Sequence, residues 1–130
     1  MGLFKRESAP CNVQVLPGMD IVDEGHHQDE LSAVAANLVS GYRDYGDAHP
    51  AIPVTIQLRR DPKNHHDPNS VECLIEGLVV GHLNPEAAAQ LQDVLCECEK
   101  RHQKAELPGF LDGGAIDKDG TQSDWGVKLA

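Results

Sequence analysis

Asp67 stands in a run, Arg60-Asp61-Pro62-Lys63-Asn64-His65-His66-Asp67-Pro68-Asn69-Ser70, that is dense in side chains able to accept, donate and stack. A carboxylate accepts a hydrogen bond from a terminal hydroxyl, and a planar ring such as that of His66 stacks on a base. Together these recognise the end of a strand that an internal nucleotide does not imitate. The bland alternative uses the same residues. Asn64, Asp67 and Asn69 have short side chains that bond nearby amides, and two prolines fix backbone angles, so the run is also a well-stapled turn.

A second polar cluster, Gly25-His26-His27-Gln28, and a third, Val80-Gly81-His82-Leu83, add imidazoles that become cations near neutral pH and then attract phosphate. Gly81 permits close approach of backbone or ligand, or marks a bulge. With Asp67, the five histidines His26, His27, His65, His66 and His82 have the chemistry of a metal site, and a metal-dependent hydrolase or nuclease built on them is an alternative function. No His-x-x-x-His or Cys-x-x-Cys spacing supports that alternative. Cys96 and Cys98, two apart on a helix, point to different sides, and one of them belongs to the core. For catalysis there is no Gly-x-Ser-x-Gly, no phosphate loop and no recognisable carboxylate pair, while Asp117-x-Asp119-Gly120 is too short for a calcium loop and reads as a turn. No cofactor is implied.

Strands must carry these loops. Ile52, Val54, Ile56 and Leu58 alternate with Pro53, Thr55, Gln57 and Arg59, which predicts a strand with one face on a core. Val71, Cys73 and Ile75 alternate likewise, Gly77 makes a tight turn, and Leu78 to Leu83 returns. Val13, Val15, Ile21 and Val22 predict a strand interrupted by Pro17-Gly18. A helix starts at Gln28 or Asp29, places Leu31, Val34, Ala35 and Leu38 on one face, and ends near Gly41, with loop from Tyr42 to Pro50. Asn84-Pro85-Glu86 predicts a second helix start with Asn84 as cap, running to about His102 and burying Ala87, Ala88, Leu91, Val94, Leu95 and Cys98. Ala105 to Leu111 and Trp125 to Leu129 are the last two strands.

The run Arg60-Asp61-Pro62-x-Asn64-x-His66-Asp67-x-Asn69-Ser70-Val71, followed by Val80-Gly81-His82-Leu83 and an alanine-rich helix, resembles the HIRAN domain. The resemblance extends from about Ile21 to Leu129. It implies an α+β fold, a small OB- or SH3-like β-barrel of about six strands with two flanking α-helices, that captures single-stranded DNA at its 3′ end. By that likeness the nucleic-acid-binding residues are His26, His27, Arg60, Asn64, His66, Asp67, Asn69 and His82, with Asp67 on the terminal sugar. The implied partners are single-stranded DNA 3′ ends, in repair or replication, and a helicase or repair protein. The sequence departs from the family at His66, where the family usually has Tyr, and at Gly25, which offers no charge; Arg59, Arg60 or Lys63 would then supply the phosphate grip. A protein-interaction module that has kept the barrel and lost the DNA site is a further alternative.

The 130 residues suit one domain, residues 12–130, behind a tail of residues 1–11. Hydrophobic residues are 40% and charged residues 25%, ordinary values for a soluble globular chain, and no apolar run reaches the ~20 residues that cross a bilayer. A net charge of -10 argues against a broad DNA-coating surface, because non-specific binding needs lysine and arginine to displace counterions. A small positive site remains compatible with it. Four sparse cysteines show no paired framework, which predicts a reducing, cytoplasmic setting.

Overall fold

The computed structural model describes residues 9–38, 52–113 and 124–129. It is an α+β fold with one mixed seven-stranded sheet. The strands are β1 (Cys11–Asn12), β2 (Ile21–Val22), β3 (Ile52–Arg60), β4 (Val71–Ile75), β5 (Leu78–Leu83), β6 (Ala105–Gly113) and β7 (Trp125–Leu129). The helices are α1 (Gln28–Leu38), α2 (Pro85–Gln90) and α3 (Gln92–Lys100), with a short 3-10 turn over Glu24–His26. Strand order is β1-β6-β3-β4-β5-β2, and β7 also pairs with β6. Among the described residues, only the β1–β6 pair is parallel.

The expected alternation places β3 in the sheet, with Ile56 and Leu58 buried and Arg59 exposed. It also places the β4–β5 hairpin, whose turn residues Glu76 (φ 52°) and Gly77 (φ 82°) are both left-handed, the two-residue turn whose twist matches antiparallel strands. Leu31, Val34 and Ala35 recur at helical spacing on α1 and are buried. The core joins them to Ile56, Val71, Ile75 and Val80 of the sheet, to Leu91 between α2 and α3, and to Leu95 of α3.

Five expectations are corrected. The sheet is not closed into a barrel: β2 and β7 come into contact, but among the described residues no ladder joins them. The long second helix is broken at Leu91 (φ −90°, ψ −1°) into α2 and α3, so among the described residues three α-helices stand where two were expected. Val94 and Leu38 are exposed, at 45% and 39%, rather than on the buried faces of their helices. Asn84 makes no cap bond to its own helix; its side chain accepts from the Asp20 N–H at 2.8 Å and donates to the Gly18 carbonyl at 3.2 Å, where it holds the turn before β2. Finally, Cys11 and Cys98 form a disulfide across 87 positions, so the reading of four unpaired thiols holds only for Cys73 and Cys96. Cys11 itself lies in β1, opposite Ala105 of β6. The expected helix end at Gly41, the loop from Tyr42 to Pro50 and the Asp117–Gly120 turn lie outside the described residues.

Among the described residues, no helix is long and apolar enough to cross a membrane.

Candidate functional site

The residues between β3 and β4 form a compact loop built on its own side chains. Asp61 N–H donates to the Ser70 carbonyl at 2.9 Å and closes its neck. Asn64 Oδ1 accepts from the amides of His66 (2.9 Å) and Asp67 (3.1 Å), and Asp67 Oδ1 accepts from the Asn69 amide at 2.9 Å. These are the turn-stapling bonds that short Asn and Asp side chains favour. They set His66 exposed and Asp67 half-buried at the loop surface, with one carboxylate oxygen of Asp67 committed to the turn. Gln92, the first residue of α3, donates to the Asn69 carbonyl at 2.8 Å and to the Ala88 carbonyl at 2.9 Å, which docks the loop on the α2–α3 break. The break that sequence reasoning missed thus has a positional use.

The two arginines at the loop's edge are matched by carboxylates. Arg59 pairs with Glu72 across the β3–β4 ladder, Nη2 to Oε1 at 3.0 Å. Arg60 donates from Nε to Glu99 of α3 at 3.0 Å and again from Nη2. Its hydrogen bond to Glu99 holds the Arg60 guanidinium above its ordinary value, against a smaller opposing effect of burial. Lys63 is exposed and, among the described residues, has no ion pair. Of the three cations named as a phosphate grip, two are therefore already neutralised locally.

The histidines outside the loop gather elsewhere. His82 stands opposite Glu72 on one side and Val22 on the other. Beyond Val22 the chain turns at Asp23, which has φ 65°, a left-handed conformation that Asp tolerates better than most residues. This turn brings His27 over His82, with ring centroids 5.8 Å apart and planes tilted by 52°. His82 Nδ1 lies 3.6 Å from Asp23 Oδ2, and His27 Nδ1 lies 3.9 Å from Glu30 Oε1. His26 is exposed at the end of the 3-10 turn. Among the described residues, no hydrogen bond, ion pair or ring contact joins His26, His27 or His82 to the Asp61–Ser70 loop. The structure therefore brings Asn64, His66, Asp67 and Asn69 together as one group and His27 and His82 as another. The Arg59–Glu72–His82 row across three strands is the link between them.

Gly81 serves the fold. A Cβ there would sit 2.7 Å from the Val22 carbonyl oxygen and 2.8 Å from Ile21 Cγ2, so the close approach it permits is that of β2. It also faces the irregularity in the β4–β5 ladder between Cys73 and Leu74.

Sequence reasoning missed what Glu24 and Gln28 bind. Gln28 accepts from the Trp125 N–H at 2.8 Å and donates to the Trp125 carbonyl at 2.9 Å, while Glu24 Oε2 accepts from the Val127 N–H at 3.0 Å. They take the place of a strand along β7. No local pattern marks such residues, because their partners lie about a hundred positions away.

Cys73 is fully buried, and burial pushes its thiol well above the ordinary value, which makes it inert as a nucleophile. Among the described residues, no three His, Cys, Asp or Glu side chains assemble as a metal cage. A cleft of about 650 Å³ lies between β3, the β4–β5 turn and the start of β6, lined by residues such as Pro53, Thr55 and Gly77 and by none of the candidate residues.

Comparison with family models, with curated proteins and with solved structures finds no match.

Proposed function

We propose that this chain is a non-catalytic nucleic-acid-binding module, similar to the HIRAN domain in its sequence motif, that holds the 3′ end of single-stranded DNA. The observation that carries the reading is the Asn64–Asn69 loop. Its backbone is held by its own Asn and Asp side chains and by Gln92, with His66 exposed and Asp67 half-buried next to it in the chain. A preformed loop loses little entropy on binding. A ring for a base and a carboxylate for a terminal hydroxyl are the two groups that end recognition needs. A helicase or repair protein as partner belongs to this same proposal.

The test is a pair of anisotropy titrations with oligonucleotides ending in a 3′ hydroxyl or a 3′ phosphate. A charged hydrogen bond to the hydroxyl would favour the free end by about tenfold. Asp67→Asn keeps an oxygen for the Asn69 amide while removing the charge, so it should melt like the wild type and lose the preference. Equal affinities for the two ends reject the reading.

A second reading is favoured by one observation. Glu72 and Glu99 neutralise the arginines beside the loop, which leaves the site poor in free cations, as in a module that binds protein rather than DNA. Absence of any measurable DNA binding at low salt supports it.

A further inference from the structure

His27 and His82 are an unusual pair for a fold with no other buried polar side chain atoms left unsatisfied among the described residues. Both Nδ1 atoms are closed off from solvent and have no hydrogen-bond partner. Yet the two side chains remain 19% and 24% exposed, so solvent reaches each ring on the side away from Nδ1. Each buried Nδ1 faces a carboxylate just beyond bonding distance, Asp23 at 3.6 Å and Glu30 at 3.9 Å. A proton placed on Nδ1 meets that carboxylate after a small side-chain rotation. It leaves the Nε2 lone pair pointing outward, the tautomer that a metal ion requires and that carboxylate partners enforce.

The spacing agrees with this chemistry. Two imidazoles that share a tetrahedral ion at about 2.0–2.1 Å have ring centroids about 5–6 Å apart. The pair here is at 5.8 Å. The left-handed backbone at Asp23 supplies both parts of the arrangement: it turns His27 back over His82 and aims its own carboxylate at the His82 ring. Strain of this kind tends to be kept where a local geometry is used. Nearby acids are otherwise engaged, Glu72 by Arg59 and Glu24 by the Val127 amide.

We propose that His27 and His82 bind a divalent transition-metal ion of the zinc class through their Nε2 atoms, with Asp23 and Glu30 orienting the rings and water completing the shell. Imidazole nitrogen selects such ions over magnesium or calcium. Two protein ligands place the affinity below that of a structural four-ligand cage. The inference stands apart from the DNA reading, and its test contains no DNA.

The experiment is a zinc titration of the full chain in competition with a chromophoric chelator near neutral pH. The expected result is one ion per chain with a micromolar dissociation constant. His27→Ala and His82→Ala should each weaken binding at least about tenfold, and Asp23→Asn, acting through His82, by about tenfold. The double variant His65→Ala/His66→Ala should bind as the wild type does. Absence of binding, binding that survives His82→Ala, or binding lost in the loop double variant overturns the proposal. Should His27→Ala fail to fold, substoichiometric Cu²⁺ added to the wild type decides: the ring signals of His27 and His82 broaden first, and earlier broadening at any other histidine overturns the site.

Discussion

Gln28 holds Trp125 by both of its backbone groups, accepting from the amide at 2.8 Å and donating to the carbonyl at 2.9 Å, from the first residue of α1 to the first residue of β7. One side chain amide thus does for the edge of β7 what a peptide group of a neighbouring strand would do. With Glu24 on the Val127 amide, it spans the gap that keeps the sheet from closing.

Gln28→Ala removes both of these bonds to the start of β7. A loss of about 1–3 kcal/mol in unfolding free energy follows, read by urea denaturation. Amide exchange should accelerate at Trp125 and Val127 before it does in β3 or β4. Unchanged protection along β7 would mean that the bridge contributes nothing.

Gly81→Ala forces a methyl group against the Val22 carbonyl and the Ile21 side chain, at 2.7 and 2.8 Å, and backbone must move to relieve it. The expected cost is about 1–3 kcal/mol, by analogy with other overpacked sites. Gly25→Ala is the control: nothing lies within 4 Å of its added Cβ, and stability should change by less than about 0.5 kcal/mol.

Cys73 gives a pH dependence with a definite sign. Burial raises its folded-state value above that of the unfolded chain, so the native thiol keeps its proton while the unfolded one loses it. Its contribution to stability is whole below the unfolded thiol's range, about pH 8.5, and declines above it by up to about 1.4 kcal/mol per pH unit. Thermal melts of the wild type should therefore fall between pH 8 and pH 10 relative to Cys73→Ala. Thiol counting with a chromogenic disulfide reagent checks the premise: one fast-reacting group in the native chain, at half-exposed Cys96, and two after unfolding without reductant.

Glu99→Gln leaves Arg60 with its charge unbalanced beside the loop. If the loop holds DNA, affinity at low salt should rise about three- to tenfold, and the log–log salt slope should steepen by about 0.7 for one more phosphate engaged on a single strand. Glu76→Gln, at the far end of β4 in the hairpin turn, makes the same change in net charge and should move neither quantity. Equal gains in the two variants would assign the effect to overall charge and remove Arg60 from the interface.

Which of these residues the sequence announces depends on how far away their partners are. Ile56 and Leu58 alternate with polar neighbours, Leu31 and Val34 recur at helical spacing, and Gly77 marks a tight turn; each is a local pattern and each is found in the fold. Asn84 looks like a helix cap because capping is local, but it spends its side chain on Gly18 and Asp20, which arrive from the start of the chain. Leu91 sits inside an unbroken apolar period, and the contact found at the break, Gln92 to the Asn69 carbonyl, comes from 23 positions away. The loop of Asn64, Asp67 and Asn69 is legible because its residues bond one another. The His27–His82 pair is not, since only the β2–β5 register and the turn at Asp23 bring the two rings together.

The Cys11–Cys98 bond makes most of this chain a covalent ring, with β2, α1, the β3–β5 sheet and α2 strung along its circumference. A ring cut once is still one molecule. A single backbone cleavage anywhere between residues 12 and 97 leaves the fragments tethered through α3, so a nicked chain and an intact one share a hydrodynamic identity until a reductant separates them. It also lowers the number of conformations open to the unfolded ring by an amount worth about 4–5 kcal/mol on a chain-entropy basis. The covalent tie therefore guards the fold twice, once against unfolding and once against dispersal of its parts.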